Sequence, residues 1–250
     1  MDYLEHHIVD HCNLNCMGCS HFSPLADQWF EDFDTFKKDF NKLYDITNGD
    51  VKVIRLMGGE PLLHPEFDKF VAFTCTLFNK SQVQIVTNGI LVEKEYNKLK
   101  DLSDTYSNFS ICISTYGLKL NEEKIHHLPR VRRDDKTSLY NIGFDLEGGI
   151  NPKAAFKYCD LHVNHWYYFQ HGCFYPCCIG ANIKYFNHHF ELELPENNCC
   201  ISIYDHTIEE IIDFLDHSIP LCAYCDTVYR QRSYHKFEIS KKEITEWTYQ

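Results

Sequence analysis

The stretch Asp10-His11-Cys12-Asn13-Leu14-Asn15-Cys16-Met17-Gly18-Cys19-Ser20-His21-Phe22 sets three cysteines in C-x3-C-x2-C spacing directly after a short apolar run. Three thiolates at this spacing can serve one metal centre. They suit an iron-sulfur cluster whose fourth iron has no protein ligand and is therefore open for chemistry. They also suit zinc, with His11 or His21 completing a tetrahedron. A second element, Gly58-Gly59-Glu60-Pro61, follows the next strand-like run. Paired glycines let backbone approach a ligand closely, and a carboxylate accepts a charge-assisted hydrogen bond from an ammonium group.

The segments that must position these residues alternate in period. Residues 3–9 read as a strand feeding the cysteine loop. Residues 31–46 carry Phe33, Phe36, Phe40 and Leu43 at helical spacing, ended by Asn48-Gly49-Asp50. Strands are expected at 51–57, 82–86, 109–114 and 139–145, and helices at 64–79, 93–102 and 121–127. Such alternation implies a parallel sheet with right-handed crossovers, whose sites form at the carboxyl ends of the strands. Gly58-Gly59-Glu60-Pro61, Thr87-Asn88-Gly89 and Ser114 fall at those ends.

Glu147-Gly148-Gly149-Ile150-Asn151-Pro152 is the expected boundary, because paired glycines and a proline break both periodicities. Beyond it only 207–215 reads as a clear helix. Eight of the thirteen cysteines lie from Cys159 onward, so ligands rather than a large core are expected to organise this part. The tail after Phe237 is charged and polar, and reads as a closing helix or a frayed end.

Composition narrows the function. A hydrophobic fraction of 44% with 15% aromatics is that of a packed globular protein. The net charge of -12 argues against nucleic acid, whose binding draws on clustered Lys and Arg. Arg130, Arg132 and Arg133 form the one basic cluster, read as a solvated loop or a contact for a phosphorylated small substrate. No apolar run approaches a membrane span, and the acidic start lacks the features of a signal peptide, so a cytoplasmic chain without disulfides is expected. Cys75 and Cys112 are expected to pack inside a helix and a strand.

The cysteine loop followed at this separation by Gly58-Gly59-Glu60-Pro61 resembles the signature of the radical S-adenosylmethionine (radical SAM) superfamily. The resemblance implies an α/β partial (β/α) barrel with a 4Fe-4S cluster on Cys12, Cys16 and Cys19. The open iron would chelate S-adenosylmethionine, whose reductive cleavage yields a 5'-deoxyadenosyl radical. Gly58, Gly59, Glu60 and Pro61 would line the methionine end, with Glu60 on its amino group. Asn88 and Ser114 match positions that line the same pocket. The family commonly has an aromatic residue before the third cysteine; here Gly18 stands in its place, with Phe22 a candidate apolar neighbour for the adenine.

Cys159, Cys177, Cys222 and Cys225 resemble the abbreviated SPASM pattern called twitch, which implies a second, auxiliary 4Fe-4S cluster. A four-cysteine zinc knuckle is the alternative. Cys173, Cys178, Cys199 and Cys200 are left as buried small hydrophobes, substitute ligands or hydrogen-atom donors. The resemblance implies a radical SAM core at 1–150, a twitch-like domain at 151–236 and a tail at 237–250. By layout it also implies a dehydrogenase acting on a carbohydrate or cyclitol alcohol, with a donor such as flavodoxin or ferredoxin as electron partner. Asp145, Glu147 and Arg130 are nominated as the base. The alternatives are a peptide-modifying maturase, a carbohydrate epimerase or dehydratase, and a non-catalytic zinc-stabilised binding protein.

Overall fold

Short β-branched and aliphatic runs, each followed by a helix with one apolar stripe, bury both faces of a sheet only when the strands lie parallel and the helices cover them. The computed structural model, which describes residues 1–249, shows this arrangement. Gln250, the last residue of the expected tail, lies outside the described residues. The chain forms two units: residues 1–14 with 28–137, and residues 15–27 with the segment from 138 onward.

In the first unit β1 (Tyr3–Val9), β2 (Val53–Gly58), β3 (Gln82–Thr87), β4 (Phe109–Thr115) and β5 (Val131–Asp135) form parallel ladders in sequential order. Helices α1 (Phe33–Thr47), α2 (Phe67–Leu77), α3 (Tyr96–Thr105) and α4 (Glu122–His126) make the crossovers. Sequential order with crossovers of one hand puts every helix on the same face. That is the layout of a partial (β/α) barrel rather than of a doubly wound sheet. Asp32 caps α1 by accepting from the Thr35 amide at 2.8 Å, and Asn48 ends it in the left-handed conformation at φ 50°. The apolar stripes meet as rings: Phe36 lies 3.9 Å from Phe40 and 4.8 Å from Phe70, centroid to centroid, and both α1 rings pack edge-on against His6 of β1.

Two expectations are corrected here. The fifth strand is expected at 139–145; it is 131–135, and Arg132 and Arg133 of the basic cluster, expected in a solvated loop, lie in that strand. Arginines are tolerated because β5 pairs along only one edge within this unit and their heads reach outward. Arg132 binds Asp134 at 2.7 Å and Arg133 pairs with Glu122.

The second unit has less regular structure. β6 (Ser138–Tyr140) pairs antiparallel with the later β10 (Tyr234–Lys236). Between them come α5 (Pro152–Lys157), α6 (Asp160–Val163), β7 (Tyr167–Gln170), β8 (Cys173–Tyr175), α7 (Cys178–Phe190), β9 (Ile201–Ser202), α8 (Ile208–Leu215) and α9 (Thr227–Arg230). β7, β8 and β9 form an antiparallel meander. A reciprocal Thr207–Glu210 capping box starts α8. The core gathers Phe22, Phe144, Tyr168, Phe186 and Trp247 with Ile179 and Ile183 of α7.

Among the described residues, up to Tyr249, the tail is packed and is not a closing helix. It runs back along the cysteine loop, with Met17 donating to the Glu238 carbonyl at 2.9 Å and Ser240 to that of Asn15 at 2.8 Å. Trp247, 0% exposed, donates from its indole nitrogen to the Cys19 carbonyl at 2.9 Å. Trp247→Ala should therefore cost about 3–5 kcal/mol, the range for a buried large aromatic. The check is a urea titration followed by circular dichroism. A midpoint equal to the parent's would mean that the tail is dispensable to the second unit.

Candidate active site

At the end of β2 the chain turns through Gly58 and Gly59 against the end of β1. The Gly59 amide donates to the Val9 carbonyl at 2.9 Å, and the Glu60 amide to that of His11 at 3.1 Å. A Cβ on Gly58 would stand 1.9 Å from the Val9 oxygen, and one on Gly59 would stand 2.2 Å from the His11 oxygen. No side chain fits at either place, so glycine here serves backbone-to-backbone approach.

Glu60, 0% exposed, accepts from the Leu62 amide at 3.1 Å, from the Thr87 hydroxyl at 2.7 Å and from the Asn88 amide at 2.8 Å. Asn88 in turn donates from its side chain to Asn13 at 2.7 Å and toward the Cys12 sulfur at 3.8 Å. The carboxylate at the end of β2 is thus tied through the end of β3 to the first cysteine. Cys12, Gly58, Gly59, Glu60 and Asn88, singled out separately in the sequence, form one bonded group. Pro61 opens the short 3-10 turn Pro61–Leu63 that follows. Ser114 is the sixth residue of β4 and 7% exposed. Asn13 and Thr87 carry this network and had no motif of their own beyond the Thr-Asn-Gly turn.

Two sulfurs of the first motif, those of Cys12 and Cys19, face backbone amide donors. The Leu14 amide points at the Cys12 sulfur at 3.4 Å. Burial pushes the Cys19 thiol up, and the backbone amides of Ser23, His21 and Phe22 oppose it. A ring of amide donors with a buried thiol suits a sulfur bound to a cationic centre, which removes the proton outright. Gly18, at φ +64°, is packed so closely that a Cβ would lie 3.0 Å from the Glu246 carbonyl and 3.3 Å from Nε2 of His235.

Phe22 needs correction. It is 0% exposed, with its ring 5.5 Å from Phe186 and 6.2 Å from Phe144, and has no face left for an adenine. Arg130 is also misplaced as a base. It donates to the carbonyls of Phe109 at 2.7 Å, Tyr106 at 2.9 Å and Ser103, at the amino end of β4. Asp145 closes its own turn on the Glu147 amide at 3.1 Å, and Glu147 is exposed. Neither lines a described cavity.

Cys159, Cys177, Cys222 and Cys225 do come together. All four line one cavity, with apolar walls from Phe156, Leu161, Ile179 and Ile219. Cys177 sits at the N-cap of α7, its sulfur accepting from the Gly180 amide at 3.3 Å. Burial pushes the Cys222 thiol up to about 12 and that of Cys225 up to about 11. Four thiols around one space, Cys225 buried and Cys159, Cys177 and Cys222 half-buried, are a donor set for a tetrathiolate centre. Arg230 reaches into the same cavity, and no motif pointed to it.

The other cysteines divide. Cys178 and Cys199 are core residues. Cys200 is half-buried and held down to about 6 by hydrogen bonds from Cys173 and Tyr175. Burial lifts Cys75 to about 12 and Cys112 to about 11, and the Cys112 thiol donates to Asp134 at 3.3 Å.

A further cavity of about 400 Å3 opens in the second unit, lined by Met17 of the cysteine loop, Asn141, Tyr229, Arg232, His235 and Lys241 among others. This is the size of a small-ligand site. Nδ1 of His235 donates to the Lys236 carbonyl at 2.9 Å, and Nε2 is buried without a hydrogen-bond partner among the described residues.

Comparison with known proteins decides the family. The profile described as "Radical SAM superfamily" matches residues 7–134, just over half of the chain. The chain belongs to the radical SAM superfamily. It is a radical SAM enzyme, and its cofactors are a 4Fe-4S cluster and S-adenosylmethionine; its cysteine content also fits an auxiliary cluster. Among curated relatives it is similar to GTP 3',8-cyclase of Campylobacter fetus subsp. fetus (strain 82-40), 28% identical over 151 residues, covering 60% of this chain and 44% of that one. GTP 3',8-cyclase of Helicobacter pylori (strain J99 / ATCC 700824) is 30% identical over 159 residues, covering 61% and 46%. The chain thus spans under half the length of these relatives. Among solved structures, BtrN in complex with AdoMet and 2-DOIA has a similar fold, with a TM-score of 0.56 over 91% of this chain and 95% of that one, at 18% identity. The fold is therefore α/β, a partial barrel of radical SAM type with a small cysteine-rich C-terminal part.

The Glu60 network yields a pH prediction. Burial pushes this carboxyl up to about 7, against the hydrogen bonds from Asn88, Thr87 and Leu62. Between the ordinary value of 4.5 and about 7 the folded state holds more protons than the unfolded state, so this group's contribution to stability falls as pH rises through that window. The slope is at most about 1.4 kcal/mol per pH unit. Glu60→Gln should remove that slope. It should also cost about 1–3 kcal/mol, because its amide group faces the donating Asn88 amide. Urea unfolding of parent and variant from pH 5 to pH 8 measures both; parallel curves would mean that Glu60 does not titrate there.

Proposed function

We propose that this radical SAM enzyme dehydrogenates an alcohol carbon of a small polyhydroxylated substrate, a carbohydrate or cyclitol. The observation that carries this reading is the convergence of Cys159, Cys177, Cys222 and Cys225 on one cavity. Four protein thiolates saturate a cluster, and a saturated cluster transfers electrons rather than binding substrate. Oxidation of an alcohol by hydrogen-atom abstraction must dispose of one further electron, which such a centre can take. The functional division proposed is 1–150 for the radical SAM core, 151–236 for the twitch-like domain and 237–250 for the tail.

When bound, S-adenosylmethionine and the cluster on Cys12, Cys16 and Cys19 supply hydrogen-atom abstraction, and the auxiliary cluster supplies an electron acceptor. The chain's own residues do the rest. Gly58 and Gly59 hold the Gly-Gly-Glu-Pro turn against the cysteine loop, and Asn88 orients Cys12. Gly18 and Pro61 leave backbone available beside the methionine and adenine ends, and Ser114 supplies a hydroxyl at the end of β4. His235, which lines the cavity beside Met17, replaces Asp145, Glu147 and Arg130 as the proposed base. A donor of the flavodoxin or ferredoxin class would supply electrons.

The similarity to GTP 3',8-cyclases motivates a second reading, radical chemistry on a purine nucleotide. The cavity weighs against it. Glu238, Glu243 and Glu246 line it with only Arg232 and Lys241 as cations, a poor setting for a triphosphate.

The experiment is anaerobic turnover with candidate cyclitols and sugars carrying deuterium at the carbinol carbon. The expected result is deuterium in 5'-deoxyadenosine and one ketone formed per S-adenosylmethionine consumed. Transfer from GTP instead would favour the second reading. His235→Gln should lower kcat about 100-fold, the usual scale for a lost general base, with substrate KM little changed. An unchanged kcat would remove His235 from the mechanism.

A further inference from the structure

The second cysteine cavity contains a group that four thiolates alone do not require. Arg230, at the end of α9, is 2% exposed. Its Nη1 lies 3.6 Å from the Cys159 sulfur, and its Nε donates to the Ile142 carbonyl at 3.2 Å. The guanidinium also faces the sulfur of Cys225 within hydrogen-bonding reach. Its one ion-pair partner among the described residues is Asp160, 3.7 Å from Nη1, and that carboxylate oxygen has no hydrogen bond to them. An arginine is always charged, and a buried cation needs close negative charge around it. Asp160, itself partly exposed, meets that need only through space. Beside Asp160, the groups against Arg230 that can take negative charge are the cysteine sulfurs, which become thiolates when a metal centre binds.

We propose that Arg230 sets the reduction potential of the cluster on Cys159, Cys177, Cys222 and Cys225, holding it high enough to accept an electron from the substrate. This deepens the dehydrogenase reading and rests on it. The physical argument has two parts. A cluster with four thiolates is net negative, and one-electron reduction adds a further negative charge, so a fixed cation beside it favours the reduced form. The surrounding walls are apolar, which strengthens the effect. Hydrogen bonds from the guanidinium to ligand sulfur also draw electron density from the iron, a recognised lever on cluster potential. Asp160 acts in the opposite sense from the neighbouring position. Arg230 thus acts on the electron acceptor rather than on the reacting carbon.

The test is an EPR-monitored redox titration of the anaerobically reconstituted full chain. A Cys12→Ala/Cys16→Ala/Cys19→Ala background leaves only the second cluster in view. Arg230→Gln should shift the ratio of reduced to oxidised cluster at least tenfold toward oxidised at a given potential, a fall of 59 mV for a one-electron couple. Arg230→Lys should fall less, and Asp160→Asn should move the potential upward. Iron content, about four per chain in this background, should be unchanged. Zinc or no iron in the background protein would overturn the dehydrogenase reading and this proposal with it. A cluster whose potential is unmoved or raised by Arg230→Gln would overturn the role of Arg230 alone. If Arg230→Gln does not hold iron, Asp160→Asn decides: a potential unmoved or lowered would overturn the proposal.

Discussion

The close approach of the Gly-Gly-Glu-Pro turn to the end of β1 is the constraint on which the first unit's site depends. With the Cβ position of Gly59 only 2.2 Å from the His11 oxygen, the two chain segments touch through backbone alone. That contact brings the Glu60 amide to the His11 carbonyl and lets the Glu60 carboxylate reach Thr87 and Asn88 beneath the loop. The side chain thereby joins the ends of β2 and β3, and Asn88 extends the connection to Cys12. A buried carboxyl pushed up to about 7 is costly, and its three internal donors offset that cost only while the network is complete. The motif is thus structural before it is a binding element. It ties the end of β2 through Asn88 to Cys12, and the Glu60 carboxylate is already committed to three internal donors.

How much of this could be read from the sequence follows the strength of the local signal. Strands β1 to β4 and helices α1 to α4 were legible because they alternate two periodicities and are separated by Asn-Gly or Gly-rich stops. The cysteine sets were legible because their spacings are short and fixed. β5 was not, since Arg132, Arg133, Asp134 and Asp135 have the composition of a loop and become a strand only through the ladder that β4 offers. α7 was missed for a related reason: Cys177-Cys178-Ile179-Gly180 and the paired histidines mask its stripe, although Ile179, Ile183 and Phe186 share a buried face. Phe22 looked like a pocket residue because it neighbours the motif; only the fold turns it toward Phe186 and Trp247. Arg230 and His235 belong to no spacing pattern at all. The roles proposed for them rest on tertiary placement, a guanidinium against sulfur and an imidazole at a cavity.

The second unit shows what a cysteine-rich segment substitutes for regular structure. Its helices α5, α6 and α9 are four to six residues long and would not be stable alone. They nonetheless carry the residues that matter, with Cys159 at the N-cap of α6 and Arg230 at the end of α9. With the Cys222 and Cys225 thiols lifted by burial to about 12 and 11, the site strongly favours neutral sulfur until a cationic centre arrives. Binding of such a centre would release protons, give Arg230 a counter-charge and tie the short helices together in one event. The same centre that would accept an electron is then also what holds its own surroundings in place.

The tail extends this logic to the first cysteine motif. Cys16 forms a bridge with Ile239, Met17 donates to Glu238, and the Cys19 carbonyl accepts from Trp247. The loop has few side chains to spare for its own packing, because three of its eight residues from Cys12 to Cys19 are cysteines and one is glycine. Its order therefore has to come from backbone contacts with another segment. Those contacts bring His235 to Gly18 and explain why an aromatic residue cannot occupy that position: its first side-chain carbon would already lie 3.0 Å from the Glu246 carbonyl, on a backbone held at φ +64°. The departure from the family pattern at Gly18 and the packed tail are thus two sides of one arrangement, in which the segment that orders the loop takes the space an aromatic ring would fill.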